Sequence, residues 1–310
     1  MFRKTIIVLV IAPAIGFHAA GLSAATPHES QQAFESPKAA VDGLLKACKE
    51  NDTPSLIRIF GPRLEKALGT IDDAEEKQHR REFWEDAQAY LTLIEKGSDR
   101  VELVVGKELW AFPIPLVKQS RGWVFDTEEG FEEMLARRVG ENELNAIEVC
   151  RTFVIAQAEY AAVDRDGDEV LEYAPRFAST PGKRDGLYWK VDPNSGDSLS
   201  PLGEFLARAE AHTSDRKPGD PYMGYYFKIL SRQGPNPPGG EYDYVINGNM
   251  IAGYALIAWP ADYGHSGVMA FVVNHQGKVF EKDLGKETVN LVRDMHEYNP
   301  DKSWKLVERP

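Results

Sequence analysis

The sequence predicts an α+β protein of two domains, each with helices packed on a mainly antiparallel sheet. Three observations predict it. Apolar residues recur at helical spacing along residues 41–60, 83–94 and 144–161. After each helical region the period changes to two, with Gly, Pro, Asn and Asp punctuating short runs. Hydrophobic residues make up 43% of the chain, enough for two cores.

The chain opens on Arg3-Lys4, an apolar run from Thr5 to Leu22, and then Ser23-Ala24-Ala25. That order predicts a secretory signal peptide over residues 1–25, cleaved so that the mature chain begins at Thr26. Pro13, Gly16 and His18 interrupt the apolar run and make it a poor permanent span. No Cys follows it to carry a lipid, and no later segment has the length of a membrane helix. The expected location is therefore periplasmic or secreted, with no membrane insertion after signal cleavage. The net charge of −12 falls to −14 once Arg3 and Lys4 leave. Such a surface repels phosphate backbones, so no nucleic-acid partner is expected.

Residues 26–35 are polar and read as a flexible N-terminus. Ser36-Pro37 is a helix start, an N-cap followed by a first-turn proline. Val41, Leu44, Leu45 and Cys48 then share one face. Asn51-Asp52 breaks this helix, Thr53-Pro54 begins a short second one, and Gly61 stops it. A third is predicted over 73–96, with Phe83, Ala87, Tyr90, Leu91 and Ile94 in register. Three antiparallel strands follow: Val101–Val105, Trp110–Leu116 and Gly122–Phe125, with Trp110 and Trp123 as core residues. The first domain spans 36–135.

The second domain, 136–310, begins with a long helix over 141–163 and continues through a loop-rich insertion, 164–221, that holds a short helix near 202–211. Strands are predicted at 222–230, 242–246, 252–259, 268–274 and 278–282. Asn247-Gly248 is a two-residue hairpin signal. A short helix near 287–296 and a strand at Trp304 end the chain.

Chemistry concentrates in Asp164-Arg165-Asp166-Gly167-Asp168-Glu169-Val170-Leu171-Glu172. Carboxylates at alternate positions after a helix suit a hard cation that takes six or more oxygens, which makes Asp164, Asp166, Asp168 and Glu172 candidate calcium ligands. The usual calcium loop has Gly at its sixth position, here Glu169, and an acid at its twelfth, here Pro175. A solvated acidic turn is the other reading. The histidines show no zinc spacing; His265 and His275 sit at turns flanking one strand, either as neighbours in space or as separate surface turn residues. Nucleophile-elbow, P-loop and dinucleotide motifs are absent from the sequence. Tyr222, Tyr225, Tyr226, Phe227, Tyr242, Tyr244 and Tyr254 suit either a sugar- or peptide-binding face or sheet packing. Cys48 and Cys150 are either a disulfide of an oxidising compartment or two small buried hydrophobes.

Several segments resemble domain-of-unknown-function family 2950, a set of uncharacterised exported bacterial proteins. They are Pro181 to Trp189, Pro221 to Phe227, Gly267 to Asn274 and Gly277 to Gly285, and the likeness covers nearly the whole mature chain. The aspartate loop resembles the family's Asp-Gly-Asp-Gly version, with Glu169 at a glycine position. The resemblance supplies no catalytic residues. The second half also resembles the globular head of a type IV pilin-like protein, without the apolar polymerising helix, and the first half resembles an NTF2-like or cystatin-like cone. The expectation is an exported, non-enzymatic periplasmic binding or cell-envelope accessory protein, with an envelope protein or glycan as partner and calcium as its one cofactor. The alternatives are an envelope hydrolase acting on glycan or peptide, with acids from the Asp164–Glu172 loop or His265 and His275, and a structural scaffold stiffened by calcium.

Overall fold

A computed structural model describes residues 31–62, 64, 73–191, 199–203 and 220–308. The predicted signal peptide and most of the helix predicted near 202–211 lie outside these residues. The fold is α+β, and the chain divides into two compact units at Ala136/Arg137.

In the first unit, α1 (Pro37–Glu50) starts as its sequence dictates. Ser36 Oγ accepts the Ala39 amide, Pro37 fills the first turn, and Asn51 closes the helix in the left-handed conformation. The buried face is Ala40, Val41, Leu44, Ala47 and Cys48. Asp52, one residue before the expected start, caps α2 (Thr53–Phe60) by accepting the Ser55 amide at 3.1 Å. The third helix, α3 (Asp73–Ala89), stops there rather than continuing to Lys96. Residues Leu91–Glu95 form strand β1, which pairs antiparallel with β2 (Arg100–Val105), Leu91 opposite Val105 and Glu95 opposite Val101. Leu91 and Ile94 fit a helical face, but Leu91 and Leu93 equally fit one face of a strand, and the availability of β2 decides between them.

The sheet is completed by β3 (Trp110–Ala111), β4 (Leu116–Gln119) and β5 (Gly122–Phe125) in the order β1-β2-β4-β5, with β3 beside β2. Phe112 is central to the core: its ring lies 5.5 Å from Phe83, 6.3 Å from Phe60 and 6.2 Å from Phe125. Trp110 and Trp123 are half-buried at the edge of this core instead of inside it.

The expectation of a flexible segment through Glu35 does not hold for its last residues. Phe34 pairs with Trp123 through two backbone hydrogen bonds of 2.8 Å. Buried Gln31 donates to Thr127 Oγ1 at 2.9 Å, and that hydroxyl donates to the Phe60 carbonyl. The sheet edge and these orphan carbonyls recruit a segment that has no local reason to be ordered.

Helix α4 (Thr127–Tyr160) begins fourteen residues before the expected Glu141. Asp126 accepts the Glu129 amide, and Glu128 and Glu129 favour the start of the helix through its dipole. Without a strong apolar stripe, residues 127–136 gave periodicity little to find. In the second unit α4 buries Ala146, Ile147, Cys150, Phe153, Ala156, Gln157 and Tyr160.

These residues join a core with a five-stranded antiparallel sheet of order β15-β13-β12-β11-β6. Its strands are β6 (Tyr225–Leu230), β11 (Ala255–Pro260), β12 (Met269–Asn274), β13 (Phe280–Asp283) and β15 (Lys305–Leu306). The predicted 242–246 strand is broken at buried Tyr244 into β8 (Tyr242–Asp243) and β9 (Val245–Ile246). β7 (Arg232–Gln233) pairs with β8 and, in parallel, with β14 (Glu297–Tyr298). β9 and β10 (Asn249–Met250) form the predicted hairpin, with Asn247 and Gly248 at φ 53° and 98° as its turn requires. The short helix α5 covers Thr288–Arg293. Among the described residues no helix is long and apolar enough to cross a membrane.

Cys48 and Cys150 are free and lie in the cores of different units. Burial pushes both thiols up to about 12. Both are expected to resist a thiol-specific reagent in the native protein and to react once it is unfolded in denaturant. Fast labelling of either thiol without denaturant contradicts this.

Candidate metal loop

The loop after α4 gathers the predicted carboxylates. Oxygens of Asp164, Asp166 and Asp168 lie within 4.8 Å of one another. Asp164 shapes the turn: its Oδ1 accepts the amides of Gly167 at 2.8 Å and Asp166 at 3.3 Å, and its Oδ2 accepts that of Glu169 at 3.0 Å. The Gly167 amide, then those of Glu169 and Asp166, hold the Asp164 carboxyl below its ordinary value. Asp168 Oδ1 accepts the Val170 amide at 2.8 Å.

Glu169 occupies the position where a calcium loop has glycine, and it adopts the corresponding left-handed backbone, φ 66°. The substitution therefore leaves the path of the turn intact, at the strain that a non-glycine residue bears there. Pro175 supplies no carboxylate at the twelfth position.

Glu172 stands apart from the three aspartates. Its Oε2 accepts the Met250 amide at 3.2 Å. Burial is the main cause that raises its carboxyl above the ordinary value, and the charges of Asp166 and Asp168 add to it. Spacing in sequence thus placed three candidate ligands together, while the fourth is engaged by a strand.

Two braces that spacing does not reveal hold this loop. Gln157, wholly buried on α4, donates Nε2 to the Ala174 carbonyl at 2.9 Å and accepts the Ala174 amide at 2.8 Å through Oε1. One side chain thereby closes the loop at its exit. The second brace is the β9–β10 hairpin: Asn249 Nδ2 donates to Asp168 Oδ2 at 2.8 Å, and the Tyr173 amide donates to the Met250 carbonyl at 2.8 Å. The only sequence signal for the hairpin's role was its turn, because Asn249 and Asp168 are 81 residues apart. Arg165, between two of the aspartates, turns away from them and donates to the carbonyls of Tyr160 and Glu159, the open end of α4.

Chemically, three like charges so close repel one another, and a hard cation relieves that repulsion while accepting their oxygens as ligands. His265 and His275 are not brought together. They sit at opposite ends of β12, whose six residues span on the order of 17 Å. His265 lies 3.3 Å from Asp262, while the His275 ring meets Tyr244 and Tyr254 edge-on. Tyr225, Tyr244 and Tyr254 are core residues, so that aromatic run is mainly sheet packing.

The fold and loop define an α+β protein whose second unit presents a braced acidic loop between a helix and a hairpin. The chain belongs to the DUF2950 family, described as proteins of unknown function, whose family model matches residues 31–307. No curated protein and no solved structure matches the chain.

Proposed function

We propose that this is an exported, non-enzymatic binding or cell-envelope accessory protein whose second unit is stiffened by calcium held at Asp164, Asp166 and Asp168. The observation that carries the metal part of the reading is the approach of the three carboxylates to within 4.8 Å on a loop whose exit and hairpin contacts are fixed. Glu172 completes the shell when its free oxygen turns toward the ion. The reading of export rests on the leader-like first 25 residues, and the acidic surface favours partners other than nucleic acid. The element orders support the cone-like and pilin-head likenesses as readings of shape, which carry no function with them.

The test is a thermal melt of the mature protein with excess calcium and with chelator. Calcium at a hundred times its dissociation constant adds about 2.7 kcal/mol, several degrees of melting temperature for units of this size. Asp166→Ala is expected to abolish the shift while leaving the chelator melt nearly unchanged, because its side chain is exposed. Equal melts with calcium and with chelator refute the metal reading.

A further inference from the structure

Among the described residues of the second unit, two polar side chains are more than nine-tenths buried and have no hydrogen-bond partner. Trp189 is 9% exposed, with Nε1–H unanswered; Ser200 is 4% exposed, with Oγ unanswered. The Leu202 amide donates to the Leu187 carbonyl at 3.0 Å, which draws the 199–203 segment alongside the strand-like run that contains Trp189. A buried donor left without an acceptor costs about 1–3 kcal/mol, so such groups point to something that completes them.

Two guanidinium groups stand over the same indole. The Arg165 Cζ lies 5.2 Å from the ring centre and the Arg184 Cζ 5.7 Å. The first guanidinium is held by its own segment, and the backbone that carries the second is fixed. Arg165 is anchored by the carbonyls of Tyr160 and Glu159 and also lies 5.0 Å over the Tyr160 ring. The carbonyl of Arg184 accepts the Tyr160 hydroxyl at 2.8 Å, and its side chain is exposed. Neighbouring Asp185 is engaged elsewhere, accepting from the Thr180 amide at 2.7 Å and lying 3.5 Å from Arg176. The result is a buried indole N–H on a ring that two cations flank, with a buried hydroxyl on the segment drawn alongside, in a protein whose net charge is −12.

A donor-rich, cation-flanked floor fits a ligand that only accepts and is flat enough to lie against a guanidinium, which is the chemistry of a carboxylate. We propose that Trp189, Ser200, Arg165 and Arg184 form a carboxylate-binding site. It gives the proposed binding function its ligand class, and it uses none of the aspartates of the metal loop. Two sources present this group in a cell envelope: an acidic sugar and the free end of a peptide.

The test is a titration of the mature protein, isotopically labelled on nitrogen, with chelator present so that the result does not depend on calcium. The six tryptophans give separate indole N–H signals, and Trp189→Phe identifies that of Trp189 by its loss. Sodium glucuronate represents the acidic sugar, N-acetylglycine the peptide terminus, and glucose and inorganic phosphate are comparisons. Expected is a saturable downfield shift of the Trp189 signal with at least one of the two carboxylates and none with glucose. Whichever carboxylate acts identifies the source. Arg184→Gln, a change at an exposed side chain whose variant is first checked for an unchanged melt, should weaken the effect about tenfold, the loss of one charge-assisted contact. Absence of a shift with both carboxylates, an equal response to phosphate, or an unchanged affinity in the Arg184 variant overturns the proposal.

Discussion

Gln157→Leu is expected to destabilise the second unit by about 2–5 kcal/mol, because it orphans both backbone groups of Ala174 at once. Leucine keeps most of the volume, so no large cavity adds to the effect. What it removes is the amide that answers the carbonyl at 2.9 Å and the N–H at 2.8 Å of a residue with no exposed surface. Each buried group left without a partner contributes about 1–3 kcal/mol, and water cannot readily replace the side chain there. The denaturation midpoint followed through Trp189, Trp259 and Trp304 should fall with an unchanged slope. On the calcium reading, the variant should also bind calcium more weakly, since the loop loses its fixed exit. A loss of less than about 1 kcal/mol means that the chain closes the loop by other contacts.

Gly122→Ala is expected to cost the first unit about 2–4 kcal/mol, from two causes that act at the same atom. Gly122 has φ 125°, where an L side chain is strained, and an added Cβ falls 2.4 Å from the Phe34 carbonyl oxygen. The obstacle is backbone, so no rotamer relieves it. Phe34 must retreat, and its two hydrogen bonds to Trp123 go with it. Release of residues 31–35 should appear as faster proteolysis ahead of Ser36 and as a change in the environment of Trp123. Gly182→Ala is the comparison, since its φ is 81° but nothing lies within 4 Å of the new methyl. It carries the backbone strain alone, about 1–2 kcal/mol. Equal losses at the two positions mean that the approach of Phe34 contributes nothing.

Legibility differed sharply between kinds of feature. The cap of α1 by Ser36 and Pro37, and the turn at Asn247-Gly248, are interactions among residues at most four apart, and the sequence states them directly. The strands of the second sheet were readable because their apolar residues face α4 on one side and other covering segments on the other. The run Tyr90–Glu95 fits both periods; read from the sequence as the end of a helix, it is a strand because β2 is there to pair with it. The early start of α4 was missed because residues 127–136 are mostly buried or half-buried and offer only Phe131, Met134 and Leu135 as an apolar stripe, behind a glycine at 130.

For the candidate site, alternation alone brought Asp164, Asp166 and Asp168 together. It could not show that Glu172 answers Met250, or that Asn249 holds Asp168.

By itself, then, the sequence determined the α+β class, the order of most elements, the turn chemistry and the clustering of three aspartates. Each of these depends on neighbours along the chain and on local conformational preference. Only the tertiary structure decided the docking of Gln31 and Phe34, the strand at Leu91–Glu95, the separation of two free thiols, the brace from Gln157 and the two cations over Trp189. In most of these the partner lies well along the chain, 17 residues for Gln157 and Ala174 and 96 for Gln31 and Thr127, and what fixes it is the demand of buried polar groups and sheet edges for particular surroundings. That demand has no period for a sequence pattern to carry.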